Sequence, residues 1–431
     1  MAEGRTGRLL PEGRQGGLRA EGRTGRLLHA WPRGNATARS LLVVTMIMVA
    51  YGTVAVASAS EGQATANGGS SWSIAIHDVV YLGFGLLALY LGARVHLGYL
   101  IRRAPLAMIG GIGLLLAVKA IGVSANGGKR WLNLHVIYLQ PSELFKLVTI
   151  LYVAWLVQHQ HEELGEWRRL ALWTLPVIAG VGLIILEPDI GTSSVVVAIT
   201  MVMLAIAGLS RQLLTRIAAL GVLAFGAFML LKPYSSRRFF SFLHPNQNLQ
   251  GSGYQLLQSK IGLGAGGLTG LGLGHSREKW GLLPNPHTDF IFTIIGEELG
   301  LIGTFAVIGL FVWFLFSSTR IAMNSQNTVY RLLAVGIVTW IVLEAVINIA
   351  SVVGGWAVTG IPLPFFSYGG TALITELFGV GVLYNIGHDT SRLGGLEIPD
   401  YVGPTRRAAP RPASAPRGYG PDPRERVRRY D

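Results

Sequence analysis

The stretch LPNPHTDFIFTIIGEELGLIGTFAVIGLFVWFLF (residues 283–316) joins a polar loop directly to a long apolar run. The run covers 290–316, which is long enough to cross a lipid bilayer as a helix, and Asp289 is the last residue before it. Nine more apolar runs of spanning length lie near 41–59, 76–93, 104–123, 142–158, 170–186, 190–208, 213–231, 332–353 and 366–387. This pattern predicts an all-α polytopic membrane protein with about ten transmembrane helices.

The composition agrees with a membrane protein and excludes several kinds of chemistry. Of the 431 residues, 50% are hydrophobic and only 14% are charged, against roughly 25% charged residues in soluble domains. The chain has no cysteine, so disulfides, thiol nucleophiles and cysteine-ligated metals are excluded. The net charge of +13 does not indicate a nucleic-acid partner, because the two tails hold much of the excess.

Both tails differ in composition from the segment between them. In the N-terminal tail, 1–39, the nine residues AEGRTGRLL occur at 2–10 and again at 20–28, and the C-terminal tail, 391–431, is rich in Pro and Arg. Neither segment has enough apolar residues to form a core, so we expect two disordered tails flanking a membrane domain at 40–390. The run at 41–59 is long enough to be a retained membrane anchor.

The distribution of basic residues predicts the orientation of the domain. Basic residues are concentrated in both tails and in or beside the loops that follow every second apolar run. In and beside those loops they are Arg94, Arg102, Arg103, Arg168, Arg169, Arg211, Arg216, Arg320 and Arg331. By the positive-inside rule these segments and both termini are cytoplasmic. The long segment 232–289, between the seventh and eighth helices, is then an extracytoplasmic loop. Its Lys and Arg residues could contact anionic lipid head groups or an anionic substrate such as a diphosphate.

Glycine dominates one part of this loop, Gly262–Gly274. The segment matches the spacing GxGxxG, but no strand–helix–strand unit surrounds it, so a dinucleotide site is rejected. We expect an irregular re-entrant or interfacial stretch whose glycines let the backbone approach a neighbouring segment closely.

A series of short motifs resembles one family of membrane enzymes. In chain order they are Asn126…Lys129-Arg-Trp131, Gln140-Pro-Ser-Glu143-Leu-Phe-Lys146, Pro188-Asp-Ile-Gly-Thr192, Gly253-Tyr-Gln…Gln258-Ser, Leu283-Pro…Asp289-Phe-Ile-Phe292, Glu297-Glu-Leu-Gly300, Asn348 and Gly360-Ile-Pro-Leu-Pro-Phe-Phe-Ser-Tyr-Gly-Gly370. The series is similar to that of the SEDS family (shape, elongation, division and sporulation), the membrane peptidoglycan polymerases, over roughly 40–390. Residues Ser276–Trp280 favour the FtsW type, which acts in division, whereas Lys260 is more typical of the RodA type, which acts in elongation.

The resemblance implies a reaction and a catalytic residue. The substrate would be lipid II, and the enzyme would join the 4-hydroxyl of one glycan to C1 of another, with inversion and release of a lipid diphosphate. Such a transfer needs a base for the hydroxyl proton, and Asp289 matches the essential aspartate of the family. From the residues alone, Asp289 could instead be the N-cap of the helix that follows it.

Other candidate residues follow from spacing and from the resemblance. Glu143 and Lys146 are three residues apart on one helical face, so we expect them to form a pair near the membrane boundary and to shape a cavity. Asp189 is a candidate N-cap of the next helix and, by resemblance, a cavity residue; Glu187, just before it, stands where the family usually has Gln. The candidates for substrate contact are Arg130, Trp131, Arg238, Lys260 and His287.

No dedicated metal site and no tightly bound cofactor are predicted. His287 and Asp289 form a pair two residues apart, which is weak evidence for a metal site, and Mg²⁺ or Mn²⁺ is expected to arrive with the diphosphate. The resemblance implies as partners a class B penicillin-binding transpeptidase of the FtsI type and other membrane proteins of the division machinery, with no nucleic acid. It also implies a place in the cytoplasmic membrane at the division septum.

Three alternatives remain open at this point. One is a RodA-type elongation polymerase, and another is a non-catalytic scaffold for division proteins. The third is a lipid II flippase, because ionisable residues in or near spans, here Lys119, Glu344 and Glu376, often mark transport paths.

Overall fold

A computed structural model describes residues 36–66, 73–125, 128–134, 137–160, 166–231, 242 and 251–389. The expectations for residues 1–35 and 390–431, and the candidate Arg238, lie outside these described residues.

Eleven helices form the described part of the chain. They are α1 (Ala36–Ala66), α2 (Ser73–Arg94), α3 (Leu97–Ile121), α4 (Pro141–Gln160), α5 (Trp167–Leu186), α6 (Ile190–Ile206), α7 (Arg211–Leu231), α8 (Ser252–Gly266), α9 (Ile291–Asn324), α10 (Thr328–Val353) and α11 (Gly370–Asp389). Each of the ten predicted apolar runs coincides with one of these helices, and α8 is the additional one. Within the described residues, eight helices are long and apolar enough to cross a membrane, namely α1, α2, α3, α5, α7, α9, α10 and α11. The chain is therefore a multi-pass helical membrane protein.

The two remaining predicted spans, α4 and α6, differ from the others for physical reasons. Helix α6 has only 17 residues. Helix α4 contains Glu143 and Lys146, and most of its side chains are buried against α3, α6, α10 and α11. Because protein surrounds α4, its charged side chains are satisfied by neighbouring helices and do not face lipid.

Helix boundaries differ from the predicted runs by up to eight residues, as at the end of α9, and two of the differences have a clear physical reason. Helix α3 begins at Leu97, not near 104, and includes Arg102 and Arg103, whose exposed side chains can extend to the membrane surface while the backbone remains helical. Helix α11 begins at Gly370, not near 366, because Ser367 forms hydrogen bonds in a turn before the helix.

Helix α6 begins as the sequence predicts. The Oδ1 atom of Asp189 accepts a hydrogen bond from the backbone N–H of Thr192 at 3.0 Å, and Oδ2 accepts one from the Thr192 hydroxyl at 3.0 Å. Asp189 is thus the N-cap of α6 and satisfies an N–H group that the helix itself cannot pair.

A small antiparallel sheet between α3 and α4 was not predicted. Its strands are β1 (Val123–Ala125), β2 (Gly128–Asn133) and β3 (Tyr138–Leu139), in the order β1-β2-β3. Strand β2 lies in the middle: Trp131 pairs with Val123 and Lys129 with Ser124, and Arg130 lies between them at an irregularity of the register. The sheet fixes where two of the candidate substrate residues are placed.

The segment 232–289 is not wholly a loop, because it contains α8 and a short 3₁₀ turn at Glu278–Trp280. The glycine segment that follows α8 packs on the backbone of α9: the N–H groups of Leu271 and Gly272 donate to the carbonyls of Glu297 and Glu298 at 3.0 and 2.9 Å. A Cβ atom on Gly270, which has φ of 82°, would lie 2.1 Å from the Glu298 carbonyl oxygen. The expected close backbone approach is therefore confirmed, but the irregular conformation expected for Gly262–Gly274 is found only after α8, because Gly262–Gly266 are the last residues of that helix.

Helix α9 bends where this glycine segment meets it. Gly300 has φ of 65° and ψ of −158°, so it divides α9 into a short first part, 291–299, and a long second part. The first part carries Glu297, which accepts hydrogen bonds from the hydroxyl of Ser276 at 2.5 Å and from the N–H of Arg277 at 2.9 Å. The turn 276–280 is thereby attached to the helix that follows Asp289.

Candidate active site

A cavity of about 1040 Å³ opens among the β-sheet, the first turns of α4, α6, α8 and α11, and the loop that ends at Asp289. It is lined by Tyr81, Val123, Arg130, Trp131, Tyr138, Gln140, Glu143, Asp189, Thr192, Gly251, Ser252, Tyr254, Gln255, Pro284, Asn285, Thr288, Asp289, Gly360, Pro362, Tyr368, Gly369, Gly370, Thr371 and Ala372. Segments that are far apart in the sequence therefore converge on one site. Several of the sequence-predicted residues line it together.

Asp289 lies in the wall of this cavity, immediately before α9. The N-cap position of α9 is occupied by Phe290, whose side chain makes no cap hydrogen bond. The alternative in which Asp289 serves as the N-cap is therefore wrong for this helix. Its carboxylate belongs to the cavity wall, where it can meet a bound molecule.

Arg130 contributes positive charge to the same wall. Its Nε donates to the carbonyl oxygen of Glu187 at 2.9 Å, and one Nη donates to that of Pro188 at 2.6 Å. These bonds hold the turn before Asp189 and fix the plane of the guanidinium, which has five N–H groups in all. Burial, and then the charge of Asp189, raise the pKa of Glu187 to about 8, although Arg130 opposes that shift.

Glu143 and Lys146 form the predicted pair, and a third residue joins them. Lys146 Nζ is 2.7 Å from Glu143 Oε2 and also contacts Glu344 Oε1 on α10, and it lies 5.2 Å from the centre of the Trp340 ring. Of these residues, only Glu143 lines the cavity. The network gives Glu344 an ion-pair partner 198 residues away in the chain.

Glu376, the other acidic residue that suggested a transport path, also has a partner. Its Oε2 accepts a hydrogen bond from the N–H of Phe365 at 3.0 Å, which holds the turn before α11. Both acids thus stabilise contacts between segments of the domain.

Two of the candidate substrate residues lie outside the cavity wall. His287 is buried, its ring centre is 5.6 Å from that of Tyr368, and burial lowers its pKa to about 4, so it is neutral at pH 7. Its Nδ1 atom has no hydrogen-bond partner among the described residues. Lys260 is exposed on α8, and its Cε lies against Gly354 at the end of α10. Of the candidate substrate residues that are described, Arg130 and Trp131 line the cavity.

Of the aromatic part of the wall, only Trp131 was predicted. Beside Trp131 it contains the side chains of Tyr81, Tyr138, Tyr254 and Tyr368. The Tyr81 hydroxyl accepts a hydrogen bond from the backbone N–H of Tyr138 at 2.9 Å, so the Tyr81 ring is held in place. Aromatic faces with polar edges suit the alternating apolar and hydroxyl surfaces of sugar rings. Tyr81 and Tyr138 lie in segments without a distinctive motif, and Tyr254 and Tyr368 lie in two of the family-like motifs, but only the tertiary structure brings the four together in one wall.

The charged groups of the described wall are Arg130, Glu143, Asp189 and Asp289. Among the described residues, no group of three or more His, Cys, Asp or Glu side chains is placed to hold a metal ion.

These features define a class of protein: a multi-pass helical membrane protein with a large polar and aromatic cavity, whose wall contains Asp289 at the end of a loop. A family model described as a cell cycle protein family, FtsW/RodA/SpoVE, matches residues 38–392. The chain belongs to this FtsW/RodA/SpoVE family.

Individual relatives support this membership along nearly their whole length. The probable peptidoglycan glycosyltransferase FtsW of Coxiella burnetii is 38% identical over 360 residues, covering 81% of this chain and 96% of that protein. Stage V sporulation protein E of Bacillus subtilis is 35% identical over 349 residues, covering 80% and 95%.

Solved structures share the fold. A chain of a peptidoglycan synthase complex that coordinates polymerization and crosslinking matches with a TM-score of 0.68 and 28% identity, covering 84% of this chain and 100% of that one. The rod shape determining protein RodA of Thermus thermophilus matches with a TM-score of 0.60 and 27% identity, covering 82% and 97%.

Proposed function

We propose that this chain is a peptidoglycan glycosyltransferase of the FtsW type, which polymerises lipid II into glycan strands. The observation that carries the proposal is the position of Asp289 in the wall of a cavity of about 1040 Å³ that also contains Arg130 and several aromatic rings. The names of the relatives support the same activity, since several are described as probable peptidoglycan glycosyltransferases FtsW.

In the proposed reaction Asp289 is the general base. Its carboxylate takes the proton from the 4-hydroxyl of the acceptor glycan as that oxygen bonds to C1 of the donor. The bond between C1 and the diphosphate oxygen breaks, and its electron pair leaves with the lipid diphosphate, so the configuration at C1 is inverted. A positioned base of this kind contributes typically 10²–10⁴-fold to a rate.

The leaving diphosphate requires positive charge. Arg130 supplies one fixed cation, but three carboxylates share the described wall with it, so the wall alone is poorly suited to a dianionic group. We therefore infer that Mg²⁺ or Mn²⁺ enters with the diphosphate as part of the substrate. Bound there, such an ion would neutralise phosphate oxygens.

The proposal includes an orientation, a location and a partner. The distribution of basic residues supports cytoplasmic termini, which would place the cavity on the extracytoplasmic side of the cytoplasmic membrane, at the division septum. The similarity to a chain of a complex that couples polymerization to crosslinking supports a class B penicillin-binding transpeptidase of the FtsI type as partner, among other division proteins.

The test is polymerisation of labelled lipid II by the purified full chain, with its transpeptidase partner and Mg²⁺, beside Asp289→Asn. Glu166→Gln serves as the control, because this exposed acid lies before α5 and outside the cavity wall. We expect glycan polymer from the wild type and the control but none from Asp289→Asn.

Other outcomes would count against the proposal. Polymer from Asp289→Asn would exclude Asp289 as the base. No polymer from the wild type, together with movement of labelled lipid II across vesicle membranes, would favour a flippase. Growth supported by Asp289→Asn cells would favour a scaffold.

A further inference from the structure

The loop that carries Asp289 is held through three consecutive backbone carbonyls, those of residues 287–289. The N–H of Tyr368 donates to the first at 2.8 Å, the hydroxyl of Ser367 donates to the second at 2.6 Å, and Nδ2 of Asn348 donates to the third at 2.8 Å. The donors come from the turn before α11 and from α10. Such a run of bonds fixes the backbone conformation of the loop, and with it the Cα–Cβ direction of Asp289.

The two side-chain donors are themselves held in place. The Ser367 hydroxyl also accepts a hydrogen bond from the N–H of Leu363 at 2.7 Å, and Asn348 Nδ2 also donates to the Ile361 carbonyl at 2.8 Å. Ser367 is 8% exposed and Asn348 is 2% exposed. Neither lines the cavity of about 1040 Å³, and Asn348 lines only a neighbouring cavity of about 10 Å³ behind Asp289.

We propose that Asn348 and Ser367 are positioning residues that set where the Asp289 carboxylate stands in the cavity wall. This proposal rests on the proposed function, in which Asp289 accepts the substrate proton. We call the two side chains the carbonyl clamp. Catalytic groups must be held close to the productive geometry, and a displacement of about 1 Å can reduce a rate on the order of 100-fold.

The chemistry of the clamp explains which substitutions should break it. The amide of Asn348 has two N–H donors on Nδ2, and Asp of the same size has none, so Asn348→Asp would turn a carboxylate towards the carbonyls of Asp289 and Ile361. Ser367→Ala removes one hydroxyl, whereas Ser367→Thr keeps it.

The chain offers matched controls for both substitutions. Asn385 on α11 has the same chemistry, since its Nδ2 donates to the carbonyls of Gly92 and Val95 at 3.3 and 2.7 Å, and it lies outside the cavity wall. Thr375, buried on the same helix, bonds through its hydroxyl to the helix carbonyls of Thr371 and Ala372 and, among the described residues, to no other group. Asn385→Asp and Thr375→Val thus lose comparable bonds without touching the Asp289 loop.

The experiment has a structural arm and a kinetic arm, both on the full chain with its partner. In the first, amide hydrogen exchange is followed in peptides covering 281–289. We expect faster exchange there in Ser367→Ala and Asn348→Asp than in the wild type, and no change there in the two controls, because each control leaves the clamp intact.

In the second arm, kcat and KM for labelled lipid II are measured. The number of lipid II binding sites is found by titration, and kcat is expressed per binding site. We expect kcat per site to fall on the order of 10- to 100-fold in Ser367→Ala with KM nearly unchanged, since only proton transfer is impaired. Ser367→Thr should retain most of the wild-type rate. A merely structural defect would lower the number of sites or the melting temperature, as in the controls, and leave kcat per site unchanged.

The outcomes separate this proposal from the proposed function. Unchanged exchange in 281–289, or unchanged kcat per site in Ser367→Ala, would overturn the clamp even if Asn348→Asp fails to fold. If kcat per site is lower in Ser367→Thr than in Ser367→Ala, side-chain volume and not the hydroxyl causes the loss of rate. That result would also overturn the clamp. Polymer from Asp289→Asn would instead refute the proposed function, whatever the exchange data show.

Discussion

The ion-pair network around Lys146 allows a quantitative prediction about stability. The Lys146 side chain is fully buried, and its partners Glu143 and Glu344 are 3% and 1% exposed. Lys146→Met keeps a side chain of similar length but leaves two carboxylates with no cation between them. Removing one partner of a buried pair costs about 3–5 kcal/mol, because the other charge stays desolvated.

The size of the effect can be converted into a melting temperature. One kcal/mol shifts the melting temperature by about 2–4 °C in domains of 150–250 residues, so Lys146→Met should lower it on the order of 10 °C. The triple variant Lys146→Met/Glu143→Gln/Glu344→Gln should recover much of this loss, since no charge is then buried without a partner.

The chain contains a matched control for this prediction. Glu166 and Arg169 have the same spacing as Glu143 and Lys146 and approach to 3.0 Å, but their side chains are 70% and 53% exposed. Exposed pairs contribute about 0–1 kcal/mol, so Arg169→Met should change the melting temperature little.

The assay is thermal unfolding of the purified protein in detergent, followed by tryptophan fluorescence at pH 7 and a fixed scan rate. A Lys146→Met melting temperature equal to that of Arg169→Met would refute the reasoning. So would a triple variant that melts below Lys146→Met, because the unpaired charge would then not be the cause of the loss.

Two further predictions concern Glu187 and the glycine segment. Burial first, and then Asp189, raise the pKa of Glu187 from 4.5 to about 8, so the folded protein keeps a proton that the unfolded chain releases, and stability is lost as the pH rises between these values. Glu187→Gln cannot lose a proton, so it removes this pH-dependent loss of stability. The melting temperature of the variant minus that of the wild type should therefore be larger at pH 8 than at pH 5. An equal difference at the two pH values would contradict the prediction. Gly270→Ala should lower the melting temperature clearly more than Gly264→Ala, because a Cβ at Gly270 meets the Glu298 carbonyl at 2.1 Å whereas a Cβ at Gly264 meets open space; equal effects of the two substitutions would show that the close approach is unimportant.

Local and periodic features of the fold were predictable from the sequence. The ten apolar runs indicated ten helices because a lipid-facing helix must be apolar over its whole length. The cap at Asp189 and the Glu143–Lys146 pair depend on residues three positions apart, and helix geometry alone brings these together.

Features that depend on distant segments were not predictable. Glu344 joins Lys146 from another helix, and nothing near either residue in the sequence indicates that contact. Helix α8 was missed because its glycines suggested an irregular loop, and packing on α9 stabilises a helix there despite them. The small sheet has strands of two to six residues, too short for an alternating pattern to be seen.

For the candidate site, the sequence alone indicated Asp289 as a carboxylate next to a membrane span but left its role as an N-cap open. Phe290 takes that position because α9 begins one residue later than a cap at Asp289 would require. The cavity wall, by contrast, combines segments from Tyr81 to Ala372, which only the folded chain brings together.

The carbonyl clamp also has a consequence for how the protein is made. Asn348 follows its acceptor Asp289 by 59 residues, and Ser367 follows its acceptor Thr288 by 79. A ribosome therefore completes the Asp289 loop well before either donor has left it, and the donors lie in α10 and in the turn before α11, the last two helices of the described chain. A nascent chain stalled before α10 would carry Asp289 on an unsecured loop, so the final insertion steps are also those that complete the site.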